Sequence, residues 1–146
     1  MEKKELTARE AEEGIEKGWG TDLKDKIIKG DLDLSVATIV GGLHFKNVTI
    51  EGSLFLPEAI IKGDLWLEET IITGALLLHG ATINGKLWLD RTFIEDFLNL
   101  EGATINDSLN LATRKGPTKI YVDEEMAQLV HFAAPNVPLV VKKKKQ

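Results

Sequence analysis

Few side chains in this sequence have the type and spacing that chemistry needs. Trp66 and Trp88 stand 22 residues apart. Two such rings can form a platform for a sugar or a peptide, or they can stack on each other and shield a sheet. His44, His79 and His131 are spread along the chain, and no two share metal-ligand spacing with a carboxylate. Glu68 and Glu69 are adjacent, but paired-carboxylate catalysis needs an opposing acid across a cleft, and the sequence offers none. The Lys142–Lys145 run can touch anionic lipid or serve as a solubilising tail. No catalytic constellation is present, so the expectation is a protein that is not an enzyme and needs no cofactor and no metal.

The elements that position these residues come from a repeat. An 11-residue unit, I-x-G-x-L-x-L-x-x-A/V/T-x, is written eight times between Ile28 and Leu111, without insertion or deletion. Isoleucine recurs from Ile28 to Ile105 and leucine from Leu32 to Leu109. Small, Ile, Gly, Leu and Leu positions alternate with polar ones, which is the period of a strand with one buried face. Two residues after each second Leu break that phase and mark a corner. A Gly in every unit would weaken a helix by roughly 1 kcal/mol each time. The reading is an all-β parallel β-solenoid, in which like residues stack from coil to coil.

A finer alternation sets the coil length. Odd units carry Ala37, Ala59, Ala81 and Ala103 where even units carry Val48, Thr70 and Thr92, and the tryptophans repeat at 22. Two units therefore close one coil of 22 residues, giving four coils. By analogy with parallel crossovers the coil is right-handed. The glycine column (Gly30, Gly41, Gly52, Gly63, Gly74, Gly85) passes to Asp96 and Asp107. Asp tolerates turn conformations, so the column reads as a bend rather than as a tight contact.

At units such as Gly63–Leu67 and Ala81–Gly85 the chain resembles pentapeptide-repeat proteins, in an undecapeptide variant, and more distantly the polymer-forming bactofilins. Pentapeptide repeats carry A-(D/N)-L-x-x every five residues, and this chain departs from that by repeating at eleven. The resemblance implies a β-helical scaffold or binding surface, sometimes a filament, sometimes an acidic mimic of nucleic acid. Similar coils serve unrelated ends, so it assigns no role by itself.

Composition narrows the classes. The 146 residues suit one domain, and the absence of Cys excludes disulfides and thiolate metal sites. No apolar run approaches the ~18 residues of a membrane span, and Met1–Lys4 leads into no apolar signal core. The cytoplasm is the expected location. Residues 30–111 hold twelve acids and four bases, whereas residues 112–146 hold seven bases and three acids. An acidic coil repels phosphate backbones, so nucleic acid is not an expected partner.

The remaining chain divides into ends and faces. Residues 1–27 read as a helical cap, with a Thr7/Glu10 capping box, a stop at Gly18, and Trp19 and Leu23 over the first coil. Residues 28–111 are the solenoid, 112–141 a strand–helix–strand cap and 142–146 a basic tail that frays. Asp123 is the expected helix N-cap, and Met126, Leu129, Val130 and Ala133 form one apolar stripe. Helical segments at both ends should block end-on filament growth. Along one outward side Phe55, Ile71, Ala75, Leu77, Phe93 and Phe97 are contiguous in the stacked coil. A bare patch of that kind is unusual on a soluble monomer, so it reads as a candidate interface. Its occupant is either the C-terminal helix or a second copy of the chain. The expected function is a non-enzymatic scaffold or protein-interaction module that forms a homo-oligomer through this side. The alternatives are an acidic mimic that binds another protein, or a glycan or peptide binder using Trp66 and Trp88. A weak peripheral membrane contact through Lys142–Lys145 is the remaining partner reading.

Overall fold

The computed structural model describes residues 4–19 and 23–143, excluding the Trp19 side chain. The expectations for that side chain and for Lys144–Gln146 lie outside the described residues. The chain is a parallel β-solenoid with short helices at its ends. Each 11-residue unit contributes two short strands, and the strands assemble into four parallel sheets, lettered A to D, in a four-sided coil. The pairing confirms the coil length: Leu65 pairs with Leu87, Ile72 with Ile94, and Leu76 with Leu98, each 22 residues on. The Ile and Leu columns point inward and are almost solvent-free up to the last coil, where Ile105 and Leu109 are half-buried, and Phe45 is the largest buried side chain. This core excludes any internal cleft along the coils.

The corners explain why the phase never slips. After each second Leu the chain turns through two residues, and the next small residue donates its N–H back to that Leu carbonyl, as Ala59 does to Leu56 and Thr70 to Leu67. A positive φ at the third residue makes these type II turns. Eight such residues recur every eleven: Asp25, Val36, Asn47, Glu58, Glu69, Gly80, Arg91 and Gly102. Six of the eight are not glycine, so the repeat does not announce this conformation.

The glycine column lies at the other bends, and its expected purpose needs correction. Bending is only part of it. A Cβ at Gly63 would collide with the Gly41 carbonyl of the coil before, and one at Gly85 with Asp64 and Gly63. Successive coils approach closely at this corner, with Gly74 N–H donating to Gly52 O at 2.8 Å. Asp96 and Asp107 continue the column in the last coil, their N–H groups donating to Gly74 O and Gly85 O at 3.1 and 3.2 Å.

Both ends also differ from the sequence reading. The N-terminal segment is not wholly helical. Lys4–Thr7 is a strand paired with Lys26–Lys29 on sheet A, again offset by 22. Helix α1 (Ala8–Gly14) then completes that partial coil, with the Thr7/Glu10 capping box formed and a short π-helical turn, Ile15–Trp19, after it. The repeat signature ends at Leu111, yet the backbone keeps its register: Phe93 bridges to Lys115 and Leu98 pairs with Ile120. The strand Ile120–Asp123, helix α2 (Glu124–Ala133) and strand Leu139–Lys142 form a parallel β-α-β unit at the C-terminal end. Asp123 occupies the N-cap position without capping α2, because its carboxylate accepts from the Gly102 N–H at 2.6 Å.

Candidate functional site

Two outward surfaces carry aromatic or apolar side chains. Sheet D presents the column His44, Trp66, Trp88 and Asn110, one residue per coil. The two indoles stack with ring centroids 5.1 Å apart and planes 12° from parallel. His44 tilts at 31° over Trp66, at 6.2 Å. Stacking along the coil axis turns the ring faces toward each other and their edges outward. Trp66 is thus held between His44 and Trp88, and Lys86 Nζ lies 6.0 Å from the Trp88 centroid. A sugar approaching this sheet meets ring edges rather than an open face, which favours the shielding stack.

The corner beside sheet D fixes the stack. Trp66 Nε1 donates to Glu68 Oε2 at 3.3 Å, and Glu68 Oε1 accepts from Arg91 Nη2 at 2.6 Å. Arg91 also lies 3.6 Å from Glu69 and 3.4 Å from Asp90. Partial burial pushes the Glu68 carboxyl up, but the Trp66 and Arg91 hydrogen bonds and the Lys46 and Arg91 charges outweigh it and hold it below the ordinary glutamate range. The same pair raises Arg91. Glu68 is therefore a structural bracket for the stack rather than a freely solvated corner residue. Spacing alone could not give that, since it depends on side-chain rotamers.

The opposite surface spans sheets A and B. Ile71 pairs with Phe93 on sheet A, and Phe55 with Leu77 on sheet B. Ala75 is buried at the corner between them, and the other five candidate residues are half-buried. Helix α2 does not sit on this side; it packs on the terminal strands Ile120–Asp123 and Leu139–Lys142. The chain after the repeat covers only the margin. Arg114 lies over the Phe93 ring at 5.5 Å, and Tyr121 meets Phe97 edge-to-face at 5.3 Å. The structure thus brings five of the six candidate side chains to one outward surface and gives two of them intramolecular cover.

The histidines stay apart. His79 sits at the corner between sheets B and C, near Glu58, Glu101 and Asp123. Among the described residues, no three His, Asp or Glu side chains converge as a metal ion requires. No described helix is long and apolar enough to cross a membrane. No known family model, no curated protein and no solved structure matches the chain.

Proposed function

We propose that the chain is a non-enzymatic interaction scaffold that associates with a second copy of itself through the apolar columns of sheets A and B. The carrying observation is the in-register run of Phe55 with Leu77 and of Ile71 with Phe93 on adjacent coils, half-buried on the two sheets that meet at Ala75. Burying the rest of each large side chain contributes a fraction of its full ~1.5–3 kcal/mol, and the contributions of two copies add up against the ~4–15 kcal/mol that association costs. The coil supplies the rigidity that lets such a surface act without an ordering cost. Size-exclusion chromatography with light scattering tests it. The expected result is a dimer that Leu77→Lys converts to a folded monomer. A strict monomer at high concentration overturns self-association through this side.

A further inference from the structure

The charges on the sheet B side are sorted along the coil axis. Pairing in register stacks Asp33, Phe55, Leu77, Asn99 and Tyr121 in one outward column. Two residues earlier in each coil, the neighbouring column runs Asp31, Ser53, Ala75, Phe97 and Lys119. Both columns begin with an exposed acid, and the second ends with an exposed lysine. The apolar side chains lie between. Coils stack about 4.8 Å apart, so Asp31 and Lys119 stand ~19 Å apart, each two coils from Ala75.

Among the described residues, Asp31, Asp33 and Lys119 form no ion pair. Asp31 Oδ1 accepts from the Ser53 N–H at 2.8 Å, and Asp33 Oδ1 from the Ser35 N–H at 3.0 Å. Lys119 Nζ lies 5.8 Å from the Tyr121 centroid. The bases Arg9, Lys29 and Lys115 are instead paired with Glu13, Glu51 and Glu95. At the N-terminal end Glu12 of α1 accepts from the Asp33 N–H and adds a third acid. At the C-terminal end the acids are mixed with bases: Asp96 lies at the bend beside Phe97, and Glu101 and Asp123 share the far corner with Lys142. One end of this side is acidic and the other is mixed.

We propose that the second copy lies antiparallel, sheet B against sheet B, about a two-fold axis at the level of Ala75 and Leu77. This rests on the self-association proposed above and fixes its direction. A two-fold axis lying in the interface sets the first coil on either the first or the last coil of the other copy. In the first case Asp31 and Asp33 of both copies crowd together at one end, and the two Lys119 side chains at the other. Like charges so placed oppose association. In the second case each column faces itself reversed. Asp31 then meets Lys119 of the other copy, Phe97 meets Ser53, and Leu77 meets Leu77. Asp33 comes opposite Tyr121, beside the same lysine. The two halves also match in length. α1 packs on the strand Leu32–Asp33, and Ile120–Asp123 and Leu139–Lys142 extend the other edge. Three layers therefore lie on each side of the strand Leu76–Leu77, and the reversed copy overlaps along the whole side.

Charge reversal in the full chain, read by light scattering over a dilution series, tests the direction. Lys119→Glu should weaken the dimer about tenfold, because it sets an acid against Asp31 and Asp33. Its circular dichroism should match the wild type, because Lys119 is exposed and unpaired. Asp31→Lys with Asp33→Lys should weaken the dimer likewise. The folded triple variant should recover the wild-type affinity, since opposite charges face each other again. A parallel pair predicts no loss from Lys119→Glu, which only exchanges one like-charge contact for another. A wild-type dimer that Lys119→Glu leaves as tight therefore overturns the antiparallel arrangement and leaves self-association standing. A wild type that stays monomeric at high concentration overturns both.

Discussion

The two ends of the solenoid are built from the same columns and finished differently. At the N-terminal end Ile39 and Leu43 retain 6% and 0% of their exposure, because α1 and its π-helical turn bring Ala11 and Ile15 against the first coil. At the C-terminal end the corresponding Ile105 and Leu109 are only half-buried. There the strand–helix–strand unit extends sheet B, while sheets C and D stop at Thr104–Ile105 and Leu109–Asn110. One end is a lid. The other covers two sides of the coil and leaves Leu129 and Phe132 outward.

Truncation along one column should expose this difference most strongly. Leu43→Ala, in the first coil, should cost about 3 kcal/mol, as a fully packed site does. Leu109→Ala, in the last coil, should cost about 1 kcal/mol, because its cavity opens to solvent. Urea titrations of both variants check this, and equal losses would mean that the C-terminal end is as closed as the N-terminal one.

A smaller difference lies in the corners. Val36 in the first coil holds φ at 64°, whereas Gly102 in the last holds 69° at the same corner. A β-branched residue in that region costs roughly 1–2 kcal/mol. Val36→Gly should therefore stabilise by about 1 kcal/mol, and Gly102→Val should lose about as much. A Cβ at Gly102 meets only ordinary contacts, the nearest 3.6 Å away, so the loss should come from the backbone alone. Thermal unfolding of the two variants reads both signs.

The smallest effect belongs to the bracket on the tryptophans, between the ends. The Glu68 carboxyl is held below the ordinary glutamate range in the folded state. Its contribution is thus fully present above that range and is lost as pH falls through the folded-state value. Half of Arg91 is exposed, so solvent screens the pair and keeps its contribution below those of the corners and the Leu column. Arg91→Ala should flatten this acid limb of the stability profile. An unchanged acid limb would mean that Glu68 does not brace the stack.

Much of the fold was legible because stacking makes the sequence itself periodic. Trp66 above Trp88, and the alternation of Ala81 with Thr70 and Thr92, state the coil length in residue types. Position 120 is also 22 after Leu98, so the continued register was present as spacing, hidden by Gly116 and Pro117 where the signature has Ile and a polar residue. The first strand was not legible, because Lys4–Thr7 has one apolar residue, Leu6, and too short a run to alternate. The left-handed corner was hidden by Glu58, Glu69 and Arg91, which solvent tolerates there. Of the surfaces, the Phe55–Phe97 columns were readable from parity alone. Their margin was not, since Arg114 and Tyr121 arrive from outside the repeat.

All of this depends on stacking at 22 residues, which paired cysteines test most directly in a chain that has none of its own. Thr82 and Thr104 are partners on adjacent coils of sheet C, and Phe93 lies one unit from each. Neighbouring strands place such Cα atoms within the span of a disulfide. The Thr82→Cys, Thr104→Cys chain should oxidise to an intramolecular bond in the folded state, and the Thr82→Cys, Phe93→Cys chain should not. The reverse outcome would contradict the two-unit coil and every surface assigned from it.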